Sequence, residues 1–130
     1  MKLNQELIQT ILEIVEENAD GTHPAFPAYS IASHERIPDS QYNEALYFIR
    51  MLIRDGFLEG SLQGIPIDEK DDVFDITTNG RDFLFVLRNP SLVESVKKHI
   101  GETGMQTLNF FFDIAKRVLV SAISADLREH

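Results

Sequence analysis

A chain of 130 residues, 43% hydrophobic and 25% charged, has the length and mixture of one globular domain and not those of a disordered tail. It holds no cysteine, which excludes disulfides and thiolate metal sites, and no stretch nears the roughly 18 apolar residues of a membrane span. Twelve Lys and Arg stand against 21 Asp and Glu, a net charge of −9, and this field repels nucleic acid, whose binding depends on cations that displace counterions. The imbalance is uneven. Residues 1–60 carry four bases and ten acids, residues 61–90 three and six, and residues 91–130 five of each. Met1-Lys2-Leu3-Asn4-Gln5-Glu6 turns polar at once, with no apolar leader, so the expected location is the cytoplasm.

In chain order, Leu3, Leu7, Ile8, Ile11, Leu12 and Val15 recur at helical spacing, with Glu6, Glu13, Glu16 and Glu17 on the other side. They predict an amphipathic helix that ends at Asn18-Ala19-Asp20-Gly21. Pro24, Pro27 and Pro38 leave residues 22–38 room for short structure only, with a brief strand expected near Tyr29–Ile31. A second strong helix follows, capped by Asp39 or Ser40 and stopped at Asp55-Gly56. Its apolar stripe is Tyr42, Ala45, Leu46, Ile49, Leu52 and Ile53. Runs at Phe57–Leu62 and Val73–Ile76, around an acidic tip at Asp68–Asp72, read as a two-stranded hairpin. Thr77-Thr78-Asn79-Gly80 opens a third helix bearing Phe83, Leu84, Val86 and Leu87. Asn89-Pro90-Ser91 restarts the chain into a helix through Leu92, Val96 and Ile100. Residues Gly101 to Gly104 break it, and a long last helix is expected from about Gln106 to Leu127.

Helix, turn, helix and hairpin is the winged-helix order. The expected fold is therefore α+β and mostly α: a winged helix-turn-helix core over residues 1–88 with a β-hairpin wing. A C-terminal helical extension over residues 89–127 is expected to pack on it within one domain. The local signature runs from Ile49 to Gly60, where apolar residues seat the helix, Gly56 permits a sharp exit, and Phe57 and Leu58 start the first wing strand.

Over nearly its whole length the chain resembles the phage and bacterial proteins grouped as domain-of-unknown-function family 2513 (DUF2513). The resemblance is carried by Leu7 to Asn18, Tyr47 to Gly60, Ile76 to Leu84, and Val93 to Ile100 with the terminal helix. It implies a layout similar to winged-helix regulators, and it implies no activity, substrate or catalytic residue. Phe48 stands where relatives tend to have histidine, so any polar role of that histidine is absent here. Leu92 and Val93 occupy the place where relatives tend to have tryptophan.

At about 100° per residue, the outer side of the helix at residues 39–55 shows Ser40, Asn43, Glu44, Tyr47, Met51 and Arg54. Asn43 suits a paired contact with adenine, and Arg50 and Arg54 suit phosphates. Glu44 opposes both, while Tyr47 and Met51 are apolar bodies on a face expected to be wet, a chemistry that meets protein more often than DNA. The wing tip, Asp68-Glu69-Lys70-Asp71-Asp72, reverses the charge of a DNA-binding wing. It also lacks the glycine and distal glutamate of a calcium loop, so a solvated turn is expected.

His23, His34, His99 and His130 share no metal-ligand spacing, and Ser33-His34-Glu35 are too close in sequence to converge as a triad. With no P-loop and no GxGxxG, no catalytic, cofactor or metal residue is expected, and the chain reads as non-enzymatic. On the last helix Leu108, Phe111, Phe112, Ala115, Val118, Leu119, Ala122 and Ile123 fill one side. Phe110, Ile114, Ser121 and Ala125 extend that arc past half the circumference, more than one docked face requires. Phe110 and Ile114 are thus the expected homodimer contacts, with a helix sandwiched inside its own domain as the alternative. Two functions follow: a phage-type or bacterial transcriptional regulator that binds DNA, or a winged-helix module that binds protein without DNA.

Overall fold

The computed structural model describes residues 4–19, 26–62, 71–100, 110–117 and 120. Helix α1 spans Gln5–Asn18, strand β1 Phe26–Pro27, helix α2 Ala28–Ala32, and helix α3 Tyr42–Arg54. Strands β2, Leu58–Ser61, and β3, Asp72–Ile76, precede helices α4, Thr78–Leu87, and α5, Pro90–Ile100. Residues 110–117 are again helical. The fold class is α+β, mostly α, with one three-stranded antiparallel sheet in the order β1-β3-β2. The remainder of the expected last helix, including Leu108, Val118, Leu119, Ser121, Ala122, Ile123 and Ala125, lies outside the described residues. No helix among the described residues is long and apolar enough to cross a membrane.

Asn4 starts α1, its Oδ1 accepting from the Leu7 backbone N–H at 3.1 Å. Leu7, Ile8, Ile11, Leu12, Ile14 and Val15 then bury one face. The strand expected at Tyr29–Ile31 is helix instead, and the strand comes just before it. Pro27 is the reason. It lacks an N–H, so it suits an edge strand, and its φ of −71° leads directly into a helix. Ala28, Ile31 and Ala32 are buried at i, i+3 and i+4, a helical period. Neither Asp39 nor Ser40 caps α3. Pro38 opens a 3-10 turn, Asp39–Gln41, that runs into the helix, whose boundary residue Gln41 makes no side-chain cap.

Gly56 ends α3 at φ 85°, the left-handed conformation glycine adopts without strain, and Phe57 N–H returns to the Leu52 carbonyl at 2.8 Å. Beyond it β2 pairs with β3. Leu58 faces Ile76 and Glu59 faces Asp75, but Gly60 then faces Val73, so Phe74 is an extra residue on β3. This bulge places the buried Val73 and Ile76 three positions apart and leaves Phe74 exposed. β1 adds to the other edge of β3 through Phe26 opposite Val73 and Pro27 opposite Asp72.

Thr77 closes the hairpin onto its start. Its Oγ1 donates to the Gly56 carbonyl at 2.6 Å and accepts from Gly80 N–H at 3.0 Å, while its own N–H donates to the Phe57 carbonyl at 3.2 Å. The hydroxyl thus caps α4 and holds the α3 exit together. Thr77→Val keeps the shape but removes both side-chain bonds, and is expected to lose about 1–2 kcal/mol in urea unfolding. Thr77→Ser is expected to retain most of that stability; equal losses in the two variants would show that the hydroxyl contributes nothing.

The chain divides into two compact units inside α4, one of them Asn4–Arg81 and the other beginning at Asp82. In the first, α1, α2, α3 and the sheet enclose Ile8, Ile11, Leu12, Ile31, Phe48, Ile49, Leu52, Phe57 and Leu58. Arg36 joins the loop after α2 to α1, 3.1 Å from Glu13 and 3.4 Å from Glu17. In the second, the Phe83 ring stacks on Phe111 and Phe112 at 5.7 and 5.5 Å between centroids, and Lys116 Nζ lies 4.6 Å from the Phe112 ring.

Candidate functional site

Helix α3 turns Ala45, Leu46, Phe48, Ile49, Arg50 and Leu52 inward. Its remaining surface presents Asn43 and Arg54 exposed, with Glu44, Tyr47 and Met51 half-buried, on successive turns of one side. Ser40 is exposed on the preceding 3-10 turn. Tyr47 meets the ring of Phe48 edge-on at 5.7 Å between centroids, and Phe48 itself is core.

Arg50 is the departure from the expected contact set. One turn on from the buried Leu46, it is only 7% exposed. Its Nε donates to Asp71 Oδ2 at 3.1 Å and its Nη2 to Asp71 Oδ1 at 3.2 Å. This is the fork-to-fork geometry that suits guanidinium and carboxylate. Arg50 is therefore withdrawn from the outer face of α3, because its guanidinium is held inside the molecule.

Asp71 corrects a second expectation. The acidic tip was expected to be solvated, but Asp71 is 1% exposed, and its backbone carbonyl accepts from Ala28 N–H at 2.6 Å. One residue thus holds α3 through its carboxylate and α2 through its carbonyl, immediately before β3 begins. Asp72 is half-buried at the start of that strand, while Asp68, Glu69 and Lys70 lie outside the described residues. Sequence could flag Arg50 as an arginine next to an apolar stripe. It could not select Asp71 from four acids in one turn.

The electrostatics follow from these pairings. The described cations of Asn4–Arg81 are Arg36, Arg50, Arg54 and Arg81. Arg36 sits against Glu13 and Glu17, Arg50 against Asp71, and Arg81 Nη2 lies 4.0 Å from Asp75 Oδ1. On α3 this leaves Arg54, in the last turn, as the exposed cation, with Glu44 in the first turn. The hairpin adds no positive charge among the described residues: Glu59 faces Asp75 across the ladder, and exposed Phe74 stands beside them. Phe74 and Tyr29 are exposed aromatics that sequence reasoning missed. The three-residue spacing of Val73 and Ile76 was the available signal for Phe74.

On the helix at 110–117, Phe110 is 39% exposed whereas Ile114 is 8% exposed. Ile114, the other expected dimer contact, is thus mostly covered within the chain. Among the described residues no group of three His, Asp or Glu is placed to hold a metal ion. His23 and His130 and the side chain of His99 lie outside them.

A family model described as a hypothetical protein (DUF2513) matches residues 2–106, the greater part of the chain. No curated protein and no solved structure matches it.

Proposed function

The chain belongs to the DUF2513 family, and we propose that its residues Asn4–Arg81 form the winged helix-turn-helix of a phage-type or bacterial regulator that docks a protein on the outer face of α3. The element order α1-β1-α2-α3-β2-β3, with the sheet order β1-β3-β2, supports the winged-helix reading. In it α2 and α3 are the helix-turn-helix and β2 and β3 the wing. Function here is binding, without catalysis.

The internal use of Arg50 carries the choice of a protein partner. Neutralising several phosphates needs several cations, and the outer face of α3 brings one exposed cation, Arg54, together with the acid Glu44. Tyr47 and Met51 fit the other chemistry, since aromatic residues and methionine are enriched in protein interfaces. The second reading, DNA contact through Asn43 and Arg54, is favoured by the exposure of those two side chains on one helix face.

A photo-crosslinking residue at position 47 or 51, introduced in the native host, separates the two. Discrete protein adducts are expected from both positions and none from position 6, where Glu6 is exposed on α1. Adducts to DNA from positions 47 and 51 would replace the protein-docking reading with the second one.

A further inference from the structure

Asn79 and Gly80 form the only Asn-Gly step in the chain. Asparagine is thermally labile, and a following glycine makes it most so, because no Cβ hinders the glycine nitrogen from reaching the side-chain amide. Asn79 is exposed at the start of α4, whereas Gly80 beside it is buried. Glycine is required there. A Cβ at position 80 would run into the Phe57 carbonyl and meet Ile76 Cγ1 at 2.7 Å. The packing thus fixes the glycine of a chemically reactive step.

Two features hold that chemistry back. The Gly80 nitrogen must lose its proton and swing toward Asn79 Cγ, yet its N–H donates to Thr77 Oγ1 at 3.0 Å. Ring closure also needs Asn79 to leave its helical backbone angles. The next N–H, that of Arg81, ties the same turn to the Thr77 carbonyl at 2.9 Å. Thr77 is itself anchored, its Oγ1 donating to the Gly56 carbonyl at 2.6 Å. One threonine therefore clamps the backbone that would have to move.

We propose that Asn79 is a site of spontaneous deamidation, gated by local opening of the Thr77 cap. When the turn opens, the Gly80 nitrogen attacks Asn79 Cγ, the Cγ–Nδ2 bond breaks, and ammonia leaves with the displaced proton. Water then opens the five-membered imide at one of its two carbonyls. One product is aspartate, whose new negative charge suits the first turn of a helix. The other is isoaspartate, which routes the backbone through the side chain and adds one carbon just before Gly80. That carbon displaces Gly80 from its seat against Phe57 and Ile76, so the turn does not re-form. A brief opening becomes a lasting one.

The test is peptide mapping by mass spectrometry of the full chain aged at mildly alkaline pH, both folded and in urea. In urea Asn79 is expected to convert ahead of every other asparagine, and in the folded protein far more slowly. Thr77→Val is expected to speed conversion in the folded protein about 5- to 30-fold, the change in opened population that loss of one cap brings. Thr77→Ser keeps the hydroxyl and is expected to stay near the wild type. Ile11→Val, a trim of similar cost in the core of α1, is expected to stay there too, since it weakens the fold without touching the cap. The isolated isoaspartyl form is expected to unfold at lower urea than Asn79→Asp, which carries the charge on an unaltered backbone. Four results would overturn the inference: equal rates in the folded protein and in urea, no acceleration by Thr77→Val, equal acceleration by Ile11→Val, or an isoaspartyl form as stable as Asn79→Asp.

Discussion

Replacing Asp71 with alanine is expected to cost about 3–5 kcal/mol of folding stability, the scale for removing one partner of a buried ion pair. The loss comes less from the missing attraction than from the Arg50 guanidinium, which stays out of water without its carboxylate. Arg50→Met is expected to fall in the same range, since it strands the Asp71 carboxylate instead. The double variant Arg50→Met with Asp71→Leu is expected to recover most of the loss, because apolar groups of similar volume replace buried pairs without large penalty. Urea unfolding of the four proteins forms a double-mutant cycle. Strong coupling is the expected result; two singles that each cost under about 1 kcal/mol and simply add would show that the pair is not held as described.

Gly80→Ala is the second large effect, and its sign runs against helix propensity. On an open helix surface alanine would stabilise by about 1 kcal/mol over glycine. At position 80 a Cβ would run into the Phe57 carbonyl oxygen and meet Ile76 Cγ1 at 2.7 Å. The Phe57 carbonyl cannot withdraw freely, because it accepts from Thr77 N–H. Overpacking against backbone at a buried position is expected to cost about 2–3 kcal/mol. Thermal unfolding reads this directly, and a raised melting temperature for Gly80→Ala would contradict the close approach of α4 to the end of α3.

Both effects fall at the junction of α3 with the hairpin, and they mark how much of the molecule was legible beforehand. The apolar stripes of α1 and α3, the hairpin and the Thr77 cap were readable, because periodicity and capping are local properties of a chain. The brief strand was misplaced because Pro27 admits both an edge strand and a helix start, and only pairing with β3 decides between them. The interior fate of Arg50 was not legible. An arginine near an apolar stripe turns outward unless a carboxylate meets it from elsewhere in the fold, here 21 residues away. The burial of Ile114 was equally hidden, because an apolar arc does not reveal which of its residues the same chain covers. The family resemblance named a layout, and the binding chemistry had to come from which side chains remain on the surface.

That chemistry is tested most directly by titrating the protein at low salt into a labelled pool of mixed-sequence duplex DNA. With Arg50 bound to Asp71 and Glu44 on the outer face of α3, no saturable change in anisotropy is expected. Saturable binding that weakens steeply as salt is raised, with the slope of several released counterions, would contradict a protein-docking face and restore α3 as a reader of DNA.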